Sequence, residues 1–192
     1  MKRPNVINIQ LYSSCNCKCK WCTFTDDYKR SIDIEYVLDF LNNHDEIDKL
    51  IITGGEPTLA IDKYAELLIS LDRSKYTITL QTNGWWGNDA NIKNVLSKYR
   101  PDYIHLSIDS EKQKYIDIET AKNAYNFIIS LNIPLLVVNH TDNQEEFNYY
   151  KSIISDTKYG IICYDDKSYD CGQCLCANNT YKEILDMKGW NK

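Results

Sequence analysis

The sequence predicts an α/β fold: a partial (β/α)6 barrel of parallel strands with a short cysteine-bearing C-terminal extension. Three observations predict it. Short β-branched runs alternate with stretches of helical periodicity along most of the chain, a pattern that calls for parallel strands joined by right-handed crossovers. The length of 192 residues falls short of the about 250 that a closed eightfold barrel takes. The polar and cysteine residues that stand out gather where the predicted strands end, and both barrels and open sheets place chemistry at the C-terminal ends of parallel strands. An open doubly wound sheet shares these features and is the alternative architecture.

The elements follow in order. Val6, Ile7, Ile9 and Leu11 form a first strand that stops before a block of cysteines. Ile34, Val37, Leu38 and Leu41 recur at helical spacing, with Ser31 and Asp33 as candidate N-caps. Leu50 to Ile52 form a second strand running into Thr53-Gly54-Gly55-Glu56-Pro57, and Ile61, Tyr64, Leu68 and Leu71 mark the next helix. The third strand, Thr77 to Leu80, leads into Thr82-Asn83-Gly84 and a helix carrying Ile92, Val95, Leu96 and Tyr99. Strand four is Tyr103 to Ile108, followed by a helix with Ile118, Ala121, Tyr125 and Ile128. Strand five is Leu135 to Val138, after which Asp142 and Glu145 read as a capping box for a helix through Phe147, Tyr150 and Ile154. Gly160 to Tyr164 reads as a sixth strand, and Thr180 with Glu183 caps a short last helix.

Composition narrows the function. With 22 Lys+Arg against 27 Asp+Glu the net charge is -5, which argues against bulk electrostatic binding of nucleic acid. The first dozen residues are too polar for a signal peptide, and no apolar run approaches the roughly 20 residues of a membrane helix. The expectation is a cytoplasmic protein that does not enter membranes. There are 8 Cys, and in a reducing compartment a disulfide framework explains them poorly. Cys15, Cys17, Cys19 and Cys22 form one block and Cys163, Cys171, Cys174 and Cys176 another, with none between. Core cysteines would be scattered, whereas ligands cluster on loops, so two metal or cluster sites are expected.

Cys15, Cys19 and Cys22 read C-x3-C-x2-C, with Trp21 just before the last. Three thiolates on a tight loop can hold three irons of a [4Fe-4S] cluster and leave the fourth open for a substrate. A structural zinc site closes all four positions, and Cys17 offers the fourth donor, so both readings stand on this block alone. Gly54-Gly55-Glu56-Pro57 adds a second motif, by itself only a strand-to-helix turn. Together, C-x3-C-x-W-C after the first strand and GGEP after the second resemble the radical S-adenosylmethionine (radical SAM) enzymes, over about 150 residues in strand order. The resemblance implies a cluster on Cys15, Cys19 and Cys22 and SAM chelating the open iron. One-electron cleavage of SAM would then give a 5′-deoxyadenosyl radical that abstracts a substrate hydrogen. It further implies Gly54, Gly55 and Glu56 at the methionyl amino group, Trp21 near the adenine, Ser107 and Asp109 near the sulfonium or ribose, and Asn139 as a SAM contact on strand five. Asn83 reads as a turn residue facing the same site, and Cys17 as a free thiol outside the family pattern.

The domain division expected is a partial barrel over residues 1–162 and a Cys-rich extension over 163–192. The second block resembles the auxiliary-cluster extension of "Twitch"-type radical SAM enzymes. It implies a second [4Fe-4S] cluster on Cys163, Cys171, Cys174 and Cys176, with zinc as the alternative. Trp85 and Trp86 can wall a pocket or cover the barrel rim. The expected function is hydrogen abstraction from a peptide or small-molecule substrate, with an electron from a reducing partner such as flavodoxin or ferredoxin. The other enzyme readings are a glycyl-radical-enzyme activase and a 7-carboxy-7-deazaguanine synthase-like enzyme. In the latter family an Asp would be expected where Thr23 stands. The non-catalytic reading is a zinc- or cluster-binding adaptor.

Overall fold

The computed structural model describes residues 5–20, 22, 29–141 and 143–153. Trp21, Asp142, the predicted sixth strand and last helix, and Cys163, Cys171, Cys174 and Cys176 lie outside the described residues. Among the described residues five strands alternate with five helices. They are β1 (Val6–Tyr12), α1 (Ile34–Asn42), β2 (Lys49–Gly54), α2 (Ile61–Ser70), β3 (Thr77–Thr82), α3 (Ala90–Lys98), β4 (Tyr103–Ser107), α4 (Ile118–Ser130), β5 (Leu135–Val138) and α5 (Gln144–Ile153). Single 3-10 turns at Pro57–Ala60, Trp85–Asn88 and Lys112–Lys114 stand between strand and helix after β2, β3 and β4.

The sheet is parallel throughout and its spatial order is β1-β2-β3-β4-β5. A doubly wound sheet reverses its order at a switch point. Here every crossover advances by one strand in the same direction, which is the winding of a barrel, and the doubly wound alternative is set aside.

Alternation along the strands separates two faces. Ile9, Leu50, Ile52, Ile78, Leu80, Ile104 and Leu106 are fully buried and belong to the hydrophobic core shared with the helices. Each such side chain stabilises the fold by roughly 1.5–3 kcal/mol relative to exposure. The intervening positions are mostly polar: Asn8, Gln10, Thr53, Thr79, Gln81, His105 and Ser107. That polar face continues into the loops at the C-terminal ends of the strands.

Local signals explain the helix starts. Asp33 caps α1, accepting from the N–H groups of Glu35 and Tyr36, while Ser31 instead bridges Tyr12. Asp89 caps α3 and Asp117 caps α4 in the same way. The capping box expected at Asp142 falls outside the described residues; the described Asn143 accepts at its Oδ1 from Glu145 N at 2.8 Å and Glu146 N at 3.2 Å. One residue nearer the helix, Asn143 reaches the first orphan N–H groups. Glu146 then turns back to Ser110 N and the Thr141 hydroxyl. Trp86 does not wall a pocket: it is fully buried, donates to Thr82 Oγ1 and stacks edge-on against Phe127 of α4. Among the described residues no helix is long and apolar enough to cross a membrane.

Candidate active site at the C-terminal ends of the strands

The first cysteine block leaves the end of β1 and its loop is pinned at the base. Ser13 N donates to Arg30 O, Ile32 N donates to Leu11 O, and Arg30 N donates to Ser13 Oγ. Cys22 N donates to Cys19 O at 3.0 Å, closing a turn between these two cysteines. A second brace comes from the segment after β4. Tyr115 donates its hydroxyl to Lys18 O at 3.1 Å, and Glu111 Oε2 accepts from Lys20 N at 3.4 Å.

Within the block Cys15, Cys17 and Cys19 differ in how readily they ionise. Cys17 is buried, and its hydrogen bonds with Cys15 and Cys19, with burial adding to them, push it far up. The same bond from Cys17 holds Cys15 below the usual thiol range and brings Cys19 down to about 7. The thiolate is the ligand form of cysteine, so Cys15 and Cys19 are the two disposed to bind metal. Cys22 is half-buried. Among the described residues no three His, Cys, Asp or Glu side chains are grouped to hold a single metal ion. Cysteines that hold a cluster each take a different iron.

The glycines of Gly54-Gly55-Glu56 have a steric reason in this chain. Gly54 adopts φ 140°, and a Cβ there would stand 2.3 Å from Tyr12 O. A Cβ on Gly55 would stand 2.2 Å from Ser14 O. Without side chains the end of β2 presses onto the root of the cysteine loop, and Gly55 N and Glu56 N donate to Tyr12 O and Ser14 O at 2.8 and 2.9 Å. Glu56 is buried, which pushes its carboxyl up. Its oxygens accept from Thr58 N and Oγ1, Thr82 Oγ1 and Asn83 N. The carboxylate therefore ties the end of β2 to the end of β3.

Asn83 is more than a turn residue. Its Oδ1 accepts from Trp85 N, as a turn residue's would. Its Nδ2, however, reaches Asn16 Oδ1 at 2.8 Å, Cys17 Sγ at 3.4 Å and Cys15 Sγ at 3.8 Å. The signal was its place at a strand's C-terminal end, where the other site residues lie.

Asp109 is fully buried, its Oδ1 accepting from Lys112 N at 3.0 Å and its Oδ2 from Lys112 Nζ at 2.7 Å. Lys112 feels the charges of Cys19 and Cys17 as well as that of Asp109, which places an ammonium beside the cysteine loop. No motif marks Lys112 in the sequence; its spacing of three from Asp109 is the signal that could have found it. Ser107 ends β4 on the polar face. Asn139, just past β5, is buried with neither Nδ2 nor Oδ1 hydrogen-bonded. An orphaned amide of this kind costs about 1–3 kcal/mol for each unmade partner.

The model for the family described as the radical SAM superfamily matches residues 9–133, well over half of the chain. The chain belongs to the radical SAM superfamily. A [4Fe-4S] cluster and SAM are the cofactors of that superfamily. The residues of this radical SAM protein fit the group: Cys15 and Cys19 are acidified thiols, and the Asn139 amide offers an unused donor and acceptor.

A Methanocaldococcus jannaschii protein named as a glycyl-radical enzyme activating enzyme is 31% identical over 113 residues, covering 57% of this chain and 42% of that one. A second M. jannaschii protein of that name is 28% identical over 107 residues, covering 53% and 42%. The peptide biosynthesis protein YydG of Bacillus subtilis is 28% identical over 143 residues, covering 61% and 44%. This chain thus spans less than half the length of these relatives. Among solved structures, Streptococcus suis SuiB superposes with a TM-score of 0.61 at 17% identity, covering 96% of this chain and 46% of that one. The structure of anSMEcpe with bound AdoMet gives 0.59 at 20% identity, covering 86% and 54%. At these identities the likeness shows the shared fold.

Proposed function

We propose that this radical SAM protein cleaves SAM reductively and takes a hydrogen atom from a polypeptide substrate. The observation that carries the reading is the interlock of the cysteine loop, Gly54-Gly55-Glu56 and Asn83 at the ends of β1, β2 and β3, with the orphaned Asn139 at the end of β5. Cys15, Cys19 and Cys22 would hold the cluster, and Cys17 would stay outside it. Cluster and SAM together supply one-electron cleavage of SAM and a carbon radical. Asn139 and Ser107 would meet SAM directly, Gly54, Gly55 and Glu56 would line its methionyl amino end, and Trp21 would lie near the adenine. Asp109 acts through Lys112, whose ammonium it holds in place.

A polypeptide substrate is favoured over a small molecule because the relatives named above are a peptide biosynthesis protein and activating enzymes for other enzymes. The second reading, activation of a glycyl-radical enzyme, draws on the two M. jannaschii relatives. The electron would come from a flavodoxin- or ferredoxin-like donor. Residues 163–192 would form an extension in which Cys163, Cys171, Cys174 and Cys176 hold a second cluster.

The test is anaerobic reconstitution followed by SAM and dithionite. The protein should release 5′-deoxyadenosine and the Cys19→Ala variant should release none; an iron-loaded protein that releases none overturns the reading. Metal analysis addresses the second block: about eight irons per chain, falling to about four in Cys171→Ala, fits two clusters, whereas zinc in place of the second four irons removes the auxiliary cluster. With the products of neighbouring genes as substrates, a mass change in a short peptide supports the first reading. A glycyl-radical EPR doublet on a large partner supports the second.

A further inference from the structure

We propose that Asn83 is a positioning residue for the cluster, donating from its carboxamide to the Cys15 sulfur and thereby raising the cluster's reduction potential. The inference rests on the reading of Cys15, Cys19 and Cys22 as ligands. Its basis is the way the amide is held. The Oδ1 end accepts from Trp85 N at 3.1 Å, so the Nδ2 end must face the other way, toward the cysteine loop. The Asn83 N–H donates to Glu56 Oε2 at 2.8 Å, which fixes the backbone from which the side chain projects. From there Nδ2 meets Asn16 Oδ1 at 2.8 Å, Cys17 Sγ at 3.4 Å and Cys15 Sγ at 3.8 Å. A second donor, the Cys17 backbone N–H, reaches Cys15 Sγ at 3.3 Å.

Two N–H groups therefore converge on one ligand sulfur, inside a site where Asn83 is only 5% exposed. One-electron reduction by an external donor adds a negative charge to the cluster. N–H dipoles aimed at a sulfur favour the more negative form, and they act more strongly in a low dielectric. The Cys17 N–H belongs to the loop and is present in any sequence with this turn. The Asn83 amide is the part that a side chain contributes and a substitution can remove.

The experiment uses the full chain, reconstituted anaerobically and titrated with dithionite under EPR observation. Asn83→Leu and Asn83→Ser remove the amide. Both should retain a four-iron cluster while the ratio of reduced to oxidised cluster, read at the unmutated midpoint potential, falls about tenfold, which is 59 mV for a one-electron couple. An intact cluster with an unchanged potential in either variant overturns the proposal. Should neither variant load iron, the unmutated protein decides. With asparagine labelled by 15N in its carboxamide, pulsed EPR of the reduced cluster should show the nitrogen coupling change isotope, and absence of any such coupling overturns the proposal. Failure of the ligand reading looks different, since Cys15→Ala would then bind as much iron as the unmutated protein.

Discussion

Lys112 Nζ lies 2.7 Å from Asp109 Oδ2, in an ion pair whose carboxylate side chain has no exposed surface and whose lysine side chain is 12% exposed. The pair spans only three residues, yet it stands at the C-terminal end of β4 against the cysteine loop. Breaking one half of a buried pair leaves the other charge uncompensated, at a cost of about 3–5 kcal/mol. Asp109→Asn and Lys112→Met should each lower the free energy of unfolding in urea by that order. The double variant Asp109→Leu with Lys112→Met should recover most of the loss. A double variant no better than the singles would mean that Asp109 holds the loop through the Lys112 N–H rather than through the charge.

Gly55 allows no side chain, because any Cβ meets Ser14 backbone and not a flexible group. Gly55→Ala should displace the cysteine loop and lower both the urea midpoint and the iron bound after reconstitution. Gly54→Ala should be destabilised by about 1–3 kcal/mol from its backbone conformation alone. A Gly55→Ala protein with full iron content would show that the loop can move aside without losing its ligands.

The unpartnered amide of Asn139 makes an opposite prediction for the empty and loaded protein. Replacing it by leucine removes a buried donor and acceptor that nothing satisfies, so Asn139→Leu should stabilise the cofactor-free chain by about 1–3 kcal/mol. The same change should weaken SAM binding to the cluster-loaded chain, by equilibrium dialysis, at least tenfold (about 1.4 kcal/mol). Unchanged SAM affinity would remove Asn139 from the binding site.

His105 sits on the polar face of β4, and burial lowers its pKa from 6.5 to about 4. The folded chain keeps this imidazole neutral while the unfolded chain protonates it. Its contribution is therefore fully present above pH 6.5 and is lost as the pH falls from 6.5 to about 4. The window corresponds to about 3 kcal/mol. His105→Gln should flatten the urea-stability profile across that interval relative to the unmutated protein. Parallel profiles would mean that His105 is free to charge in the folded state.

Much of the architecture was legible because its causes are local. The β-branched runs of β1 to β5 and the helical spacing of Ile61, Tyr64 and Leu68 follow from which side chains can share a face. Asp33 capped its helix as expected because a cap needs only the next few N–H groups. At α5 the described cap is Asn143, which by the same local logic takes the N–H groups of Glu145 and Glu146. The turn at Gly54-Gly55-Glu56 was legible because two glycines before Glu-Pro suit a strand-to-helix reversal.

What the order of residues determined, then, is the five described strands and their parallel connection. Only the tertiary structure decided what Glu56, Asn83, Asp109 and Lys112 do. Glu56 and Asn83 lie 27 residues apart and Asn83 and Cys15 lie 68 apart. Such contacts depend on how neighbouring strands in the sheet align their ends, which no short window of sequence contains. The reason is physical: a carboxylate or amide is defined by the donors and acceptors within about 3 Å of it, and in a parallel sheet those come from other strands.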